Sequence, residues 1–312
     1  MHHSGQSHQK HPSRILSIAI ISLLIVVSLF VALKYLGSRY ATQIIDQQIQ
    51  QAGLTSLIHY QKISFNPLTL TPTMHLVSLG NQRAPWLRFS QVSLNFLPVI
   101  YPKLDLEFQL DANHPLANDT KQLMSRVGLT QLSGHGRFLS HPKMDNIDST
   151  LTLHIDQMGD LFFNSNLDIL NPEFSLHELR SDLFASMAMG QLSAMPIIYG
   201  DSIAFHSITL RFKDQGVIKR CWPAHHTLTN LNTNNAQNAL LFFNTLADSL
   251  GLAPYHSVQN QHISGQLINF FANPNGLSFS MEPQHPLTLA TLMQFVQRKS
   301  LYEKSGMTLS AR

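Results

Sequence analysis

An uncharged, strongly apolar run from Ile15 to Leu33 constrains this chain more than any other feature. At 1.5 Å per residue its nineteen positions span about 28 Å, close to the ~30 Å hydrocarbon core of a bilayer. A secretory signal core is shorter, about 7–15 residues, and ends in small residues at a cleavage site. Here the run ends in Lys34-Tyr35-Leu36, and Tyr35 and Tyr40 suit the membrane interface. The reading is an uncleaved, single-pass signal anchor. Lys10 and Arg14 before the run balance Lys34 and Arg39 after it, so charge does not orient it. The short head at residues 1–14 is expected inside, which puts the bulk of the chain in an extracytoplasmic, periplasm-like space.

Charge excludes one large function class. Residues 1–36 carry Lys10, Arg14 and Lys34 and no acid. With those three set aside, the other 18 Lys and Arg are matched by all 18 Asp and Glu. Nucleic-acid binding leans on many unmatched basic contacts to phosphate, so no nucleic-acid partner is expected.

Beyond the anchor, Tyr40, Ile44, Ile45 and Ile49 recur at helical spacing, giving a helical stalk that Gly53 can end. From there the dominant period is two. Lys103 to Asp111 alternates apolar and polar residues, as does Ser149 to Asp156. Val92, Leu94 and Phe96 repeat the pattern, then Leu161, Phe163, Leu167 and Ile169, then Ile208, Leu210 and Phe212. One-sided alternation of this kind predicts antiparallel sheet with a single buried face. Asp214-Gln215-Gly216 reads as a tight hairpin between residues 210–213 and 217–220. Helices are expected at Asn118–Val127 with Asp119 as a cap, at Asn235–Leu250, and at Pro286–Arg298.

The predicted fold is therefore an N-terminal transmembrane helix followed by a mainly-β (β-rich α+β) soluble domain of antiparallel sheet with a few helices. Its parts are a cytoplasmic head (1–14), the anchor (15–36), the stalk (37–53), a β-rich domain (54–215), and a continuation or second α+β lobe (216–312).

Candidate chemistry is sparse. The single cysteine, Cys221, leads into Trp222-Pro223-Ala224-His225-His226, the densest group of potential metal ligands. It lacks a second cysteine or a CxxC, so no metal site is assigned there. His177-Glu178 opens like a zinc-protease motif without the second histidine. The 17 histidines are scattered, and no G-x-S-x-G, P-loop or dinucleotide fingerprint is present. Neither catalytic residues nor cofactors are assigned, and the chain is read as non-enzymatic. Gly134 and Gly136, between Leu132 and Phe138, mark a bulge or bend within a strand.

Three phrases carry a family resemblance. They are Ile58-His59-Tyr60-Gln61-Lys62-Ile63-Ser64-Phe65-Asn66-Pro67-Leu68 after the stalk, Leu132-Ser133-Gly134-His135-Gly136-Arg137-Phe138, and the stretch from Ile208 to Arg220 around Asp214-Gln215-Gly216. With the anchor, they resemble the AsmA/TamB-like and YdgA-like envelope proteins of the inner membrane. That resemblance implies an envelope role and, by analogy with larger members, lipid held on a β-lined groove. It supplies no catalytic residues. The leading expectation is a membrane-anchored envelope protein that binds lipid or another envelope protein through an apolar sheet groove. That groove would be formed by Leu104, Leu106, Phe108 and Leu110 with Leu151, Leu153 and Ile155. One alternative is a structural scaffold whose apolar face is covered by its own helices. Another is a hydrolase with histidines assembled in space.

Overall fold

The computed structural model describes residues 12–95, 103–143, 146–191, 195–221, 265–267, 269–270, 273–298 and 300–312. Helix α1 (Pro12–Gln51) runs unbroken from the apolar stretch into the stalk, and Gly53 closes it in a left-handed conformation. By length and composition it is the one helix among the described residues able to cross a membrane. Leu23, Leu24, Ile25, Val26, Leu29 and Val31 all stand exposed on it.

The remainder is built on one antiparallel sheet of twelve strands. In chain order these are β1 (Ile58–His59), β2 (Lys62–Asn66), β3 (Thr71–Asn81), β4 (Ala84–Leu94), β5 (Leu104–Leu110), β6 (Gly134–Pro142), β7 (Ile147–Ile155), β8 (Gly159–Ile169), β9 (Ile203–Asp214), β10 (Gly276–Met281), β11 (Leu287–Thr288) and β12 (Met307–Ala311). From β3 to β10 each strand pairs with its sequence neighbour. Strands β1 and β2 both line β3, and β10 and β11 both line β9, so each pair acts as one interrupted strand. Because β10 and β12 extend the sheet past β9, the last third of the chain continues the same sheet.

The alternation read from the sequence maps onto two faces. Leu106, Phe138, Leu151, Phe163 and Leu210 lie in one cross-strand row, and Phe108, Gly136, Leu153, Leu161 and Phe212 in the next. Gly136 makes room here: a Cβ would lie 2.4 Å from the ring of Phe108 and 2.7 Å from the carbonyl oxygen of Thr152. At the β3–β4 end the alternation shifts. Leu76 takes a left-handed backbone (φ 51°), and β4 shifts register against β5 between Phe89 and Gln91. Met74 and Val77, like Val92 and Phe89, can then reach one core with Leu110 and Phe108. Phe89 and Phe108 pack edge-on there, with ring centroids 5.4 Å apart.

Helices pack on parts of this apolar face, while Leu210 in its central row stays 38% exposed. The stalk part of α1 packs on β2, where Gly37 and the buried Ala41 and Ile45 meet the region of Phe65. The Tyr60 hydroxyl donates to Asp46 and ties the stalk to the sheet. Helix α2 (Asn118–Arg126) sits beside β4. Helix α3 (Leu176–Met189) is pinned at two distant points: Arg180 Nη2 donates to the Ser140 carbonyl (3.0 Å), and Trp86 Nε1 donates to the Ala188 carbonyl (2.9 Å). Short α4 (Met195–Tyr199) follows it. At the far end α6 (Leu289–Gln297) and α7 (Leu301–Lys304) enclose Leu292, Leu301, Met281, Met307 and Leu309 with Leu267 and Phe270.

Three expectations are corrected. Residues 217–221 are not the second arm of a hairpin but helix α5 (Val217–Cys221). The Asp214 carboxylate accepts from the amides of Gly216 (2.8 Å) and Ile218 (3.0 Å), so Asp-x-Gly here caps a helix. Asp119 lies in the first turn of α2, but the cap position is Ala117 and has no side-chain bond. The helix expected from Pro286 begins at Leu289, after Leu287 and Thr288 pair with β9, and Thr288 caps it. Helix α3 was not anticipated at all. The helix expected at Asn235–Leu250, together with Phe96, Trp222, His225 and His226, lies outside the described residues.

Candidate functional site

An open trough of ≈ 920 Å³ lies along β4 to β10. Its lining identifies its face. Gln91, Gln109, His135, His154, Asp160 and Lys213 form one cross-strand row. Ser93, Glu107, Arg137, Thr152, Phe162, Arg211 and Ser278 form the row two residues along. The residues between these rows, Phe108, Gly136, Leu153, Leu161 and Phe212, also line it. Side chains alternate across a strand, so these intervening residues contribute backbone floor while their side chains serve the opposite, apolar face. The trough therefore belongs to the polar face. The expectation placed a groove on the other side: Leu104, Leu106, Phe108, Leu110, Leu151, Leu153 and Ile155 do share one face, the one on which α1 meets β2 and β3, α3 reaches Ser140 and α6 meets β9.

Three charge groups line the trough or border it. Near β5 and β6, Arg137 grips Asp105 with two parallel bonds, Nε to Oδ1 (2.8 Å) and Nη2 to Oδ2 (2.7 Å). Asp105 is only 2% exposed and Arg137 50%. That bidentate bond, with weaker help from Asn95 and Lys103, holds the Asp105 carboxyl below the usual carboxylate range.

On β7, His154 is clamped between two carboxylates: Nδ1 lies 2.6 Å from Asp160 Oδ1 and Nε2 lies 3.1 Å from Asp156 Oδ1. Two acceptors on opposite ring nitrogens favour the imidazolium, and the bond to Asp160 is the main cause of a raised pKa. The hydroxyl of Ser133 donates to the other oxygen of Asp156, which is the main reason that carboxyl is lowered. The His135 ring stacks 5.1 Å from His154. Chemically the arrangement stores charge. Ser133 faces a carboxylate rather than a basic nitrogen, and neither nitrogen of His154 is turned to a nucleophile.

The third group is cationic. Arg211 and Lys213 project from β9, with the Arg211 guanidinium 5.4 Å above the centre of the Phe162 ring. Arg312 joins them at the end of β12, where its amide and carbonyl pair with Gly276.

The residues weighed as metal ligands do not gather here, but two of the scattered histidines, His135 and His154, do, beside Asp160. Cys221 ends α5, and Glu178 serves as a cap, accepting from the amide (2.7 Å) and hydroxyl (2.9 Å) of Ser175. Among the described residues no three His, Cys, Asp or Glu side chains are placed to hold one metal ion. The trough residues were visible only as the polar half of each alternation, such as His135-x-Arg137 and Arg211-x-Lys213. Which strands would bring them together was not written locally.

Taken together, these features define a class: a meandering antiparallel-sheet protein with one long apolar N-terminal helix, helices on its apolar face and an open polar trough. A family model described as "Uncharacterized protein" matches residues 152–312, just over half of the chain, and the chain belongs to that family. The match takes in β8 to β12 and with them Asp160, Phe162, Arg211, Lys213 and Arg312. No curated protein matches the chain.

Proposed function

We propose that this is a non-enzymatic binding protein held in a membrane by α1, with its sheet on the extracytoplasmic side and its polar trough as the binding surface. The trough carries the reading: an open, hydrogen-bonding depression crossing seven strands, with a rigid backbone floor. The helices support it, because those described pack toward the apolar face and leave the polar side free. The resemblance to AsmA/TamB-like and YdgA-like proteins agrees with a place in the cell envelope, where the ligand or partner would be met.

The test is purification of the full chain from membranes in mild detergent, followed by native mass spectrometry. Thr152 is exposed at the middle of the trough, so Thr152→Trp fills it without touching a core. A copurifying molecule that is lost in Thr152→Trp, with thermal unfolding unchanged, supports the trough. A copurifying lipid retained by that variant but lost in Leu153→Glu, still folded, would return binding to the apolar face. Nothing bound to the wild type would remove the reading.

A further inference from the structure

We infer that the β8–β12 end of the trough binds a phosphate group carried by the ligand. This rests on the trough being the binding surface and names what that surface takes. Arg211 and Lys213 alternate on β9, so both side chains rise from the same face about 7 Å apart. On the next strand Lys213 faces Gly276, which has no side chain. Beyond Gly276 stands Arg312, joined to it by two backbone bonds of 2.8 and 3.2 Å. Lys213 and Arg312 thus flank a bare strip of floor about two strand spacings, or roughly 10 Å, across. Long cationic side chains on both sides of such a gap can converge on one oxyanion above it.

Cations outnumber acids there. Among the described residues none of the three forms an ion pair, whereas Arg137 in the same trough is fully engaged by Asp105. Asp160, opposite Lys213, offsets only part of this charge, since one of its oxygens is taken by His154 at 2.6 Å. A single carboxylate would leave this end strongly positive, while a phosphate dianion comes closer to balancing it. Arg211 is also pre-set: stacked on Phe162, its planar fork is held for bidentate contact with a phosphate rather than free to wander.

The experiment is calorimetric titration of the full-length protein in a neutral detergent. The probes are inorganic phosphate, acetate, and dihexanoyl phosphatidic acid below its micellar concentration. The wild type should bind phosphate saturably and at least ~10-fold more tightly than acetate, with affinity falling as salt rises. The double variant Arg211→Gln/Lys213→Gln should weaken phosphate by at least ~10-fold, the cost of two charge-assisted contacts. Both side chains are exposed, so its unfolding temperature should match the wild type. Lys143→Gln, outside the trough and paired with Asp148, should bind as the wild type. Phosphatidate binding at least ~10-fold tighter than phosphate assigns the group to a lipid; equal affinity assigns it to a soluble phosphate ester. No saturable phosphate or phosphatidate binding, or equal binding by the double variant, overturns the inference. If Thr152→Trp still displaces a copurified molecule in that event, the trough remains a binding surface and only the phosphate assignment falls.

Discussion

At the scale of single residues, the trough is held by pairs whose two members are not equally exposed. Asp105 is buried and Arg137 is half in solvent, so removing each has a different consequence. Arg137→Met strands a carboxylate that water does not reach, and should cost about 2 kcal/mol, less than a fully buried pair because Asn95 and Lys103 remain near. Asp105→Asn leaves a guanidinium that water can solvate and should cost less than half as much. Urea unfolding of both variants decides this, and equal losses would contradict the asymmetry. His154 makes a second prediction. Its folded pKa is raised, so its contribution is complete below the unfolded value of about 6.5 and is lost as pH rises through the folded value. Asp156 and Asp160 are lowered, so theirs is complete above about 3.9 and is lost as pH falls through their folded values. The clamp is thus most stabilising between those limits. A proton NMR titration should place the His154 midpoint above 6.5, and His154→Gln should flatten the decline of stability above neutral pH. A midpoint below 6.5 would mean that the two carboxylates do not clamp the ring.

Elements differ in how plainly the residues announce them. The runs around Leu106, Leu153 and Leu210 were legible because each strand has one apolar and one polar face, and side chains alternate between them. Strand pairing at Leu76 and Ser90 was not, since a bulge moves the apolar set by one position and no local rule marks which residue will take it. Helix α3 escaped for a different reason. Leu176, Leu179, Leu183, Phe184 and Met187 do share one face at helical spacing, but Arg180 sits inside that stripe, where its guanidinium reaches the Ser140 carbonyl, and masks the period. Its ends were nevertheless written in the chain: Ser175 and Glu178 form a reciprocal capping box, and Gly190 closes it at φ 69°. Comparing Glu178 with a protease motif hid that simpler meaning. Since the capping box starts the helix that lies over Ser140, Ser175→Ala should cost about 1 kcal/mol. It should also raise amide exchange first near Arg180, before the sheet opens. Exchange that rises uniformly across β6 to β8 would show that α3 and the sheet open as one unit.

For the whole molecule, the proposed anchoring turns on the balance between α1 and a bilayer. Between Ile15 and Leu33, fourteen positions are Leu, Ile, Val or Phe. At roughly −0.3 to −0.6 kcal/mol each, they favour insertion by about 6 kcal/mol. One arginine near the centre costs roughly 3 kcal/mol, so Leu24→Arg alone leaves a favourable span. Leu24→Arg with Val27→Arg costs about 6 kcal/mol and brings insertion to balance. The two sites are three residues apart on one helical face, so both charges cannot escape by snorkelling to opposite interfaces. Carbonate extraction of membranes should therefore leave the single variant in the pellet and release a large part of the double variant. In intact spheroplasts, added protease should digest residues 37–312 of the wild type and spare them in chains that fail to insert. Full protection of the wild type would reverse the orientation. A double variant that stays in the pellet would show that something besides α1, such as the sheet's trough engaging lipid phosphate, holds the protein to the membrane.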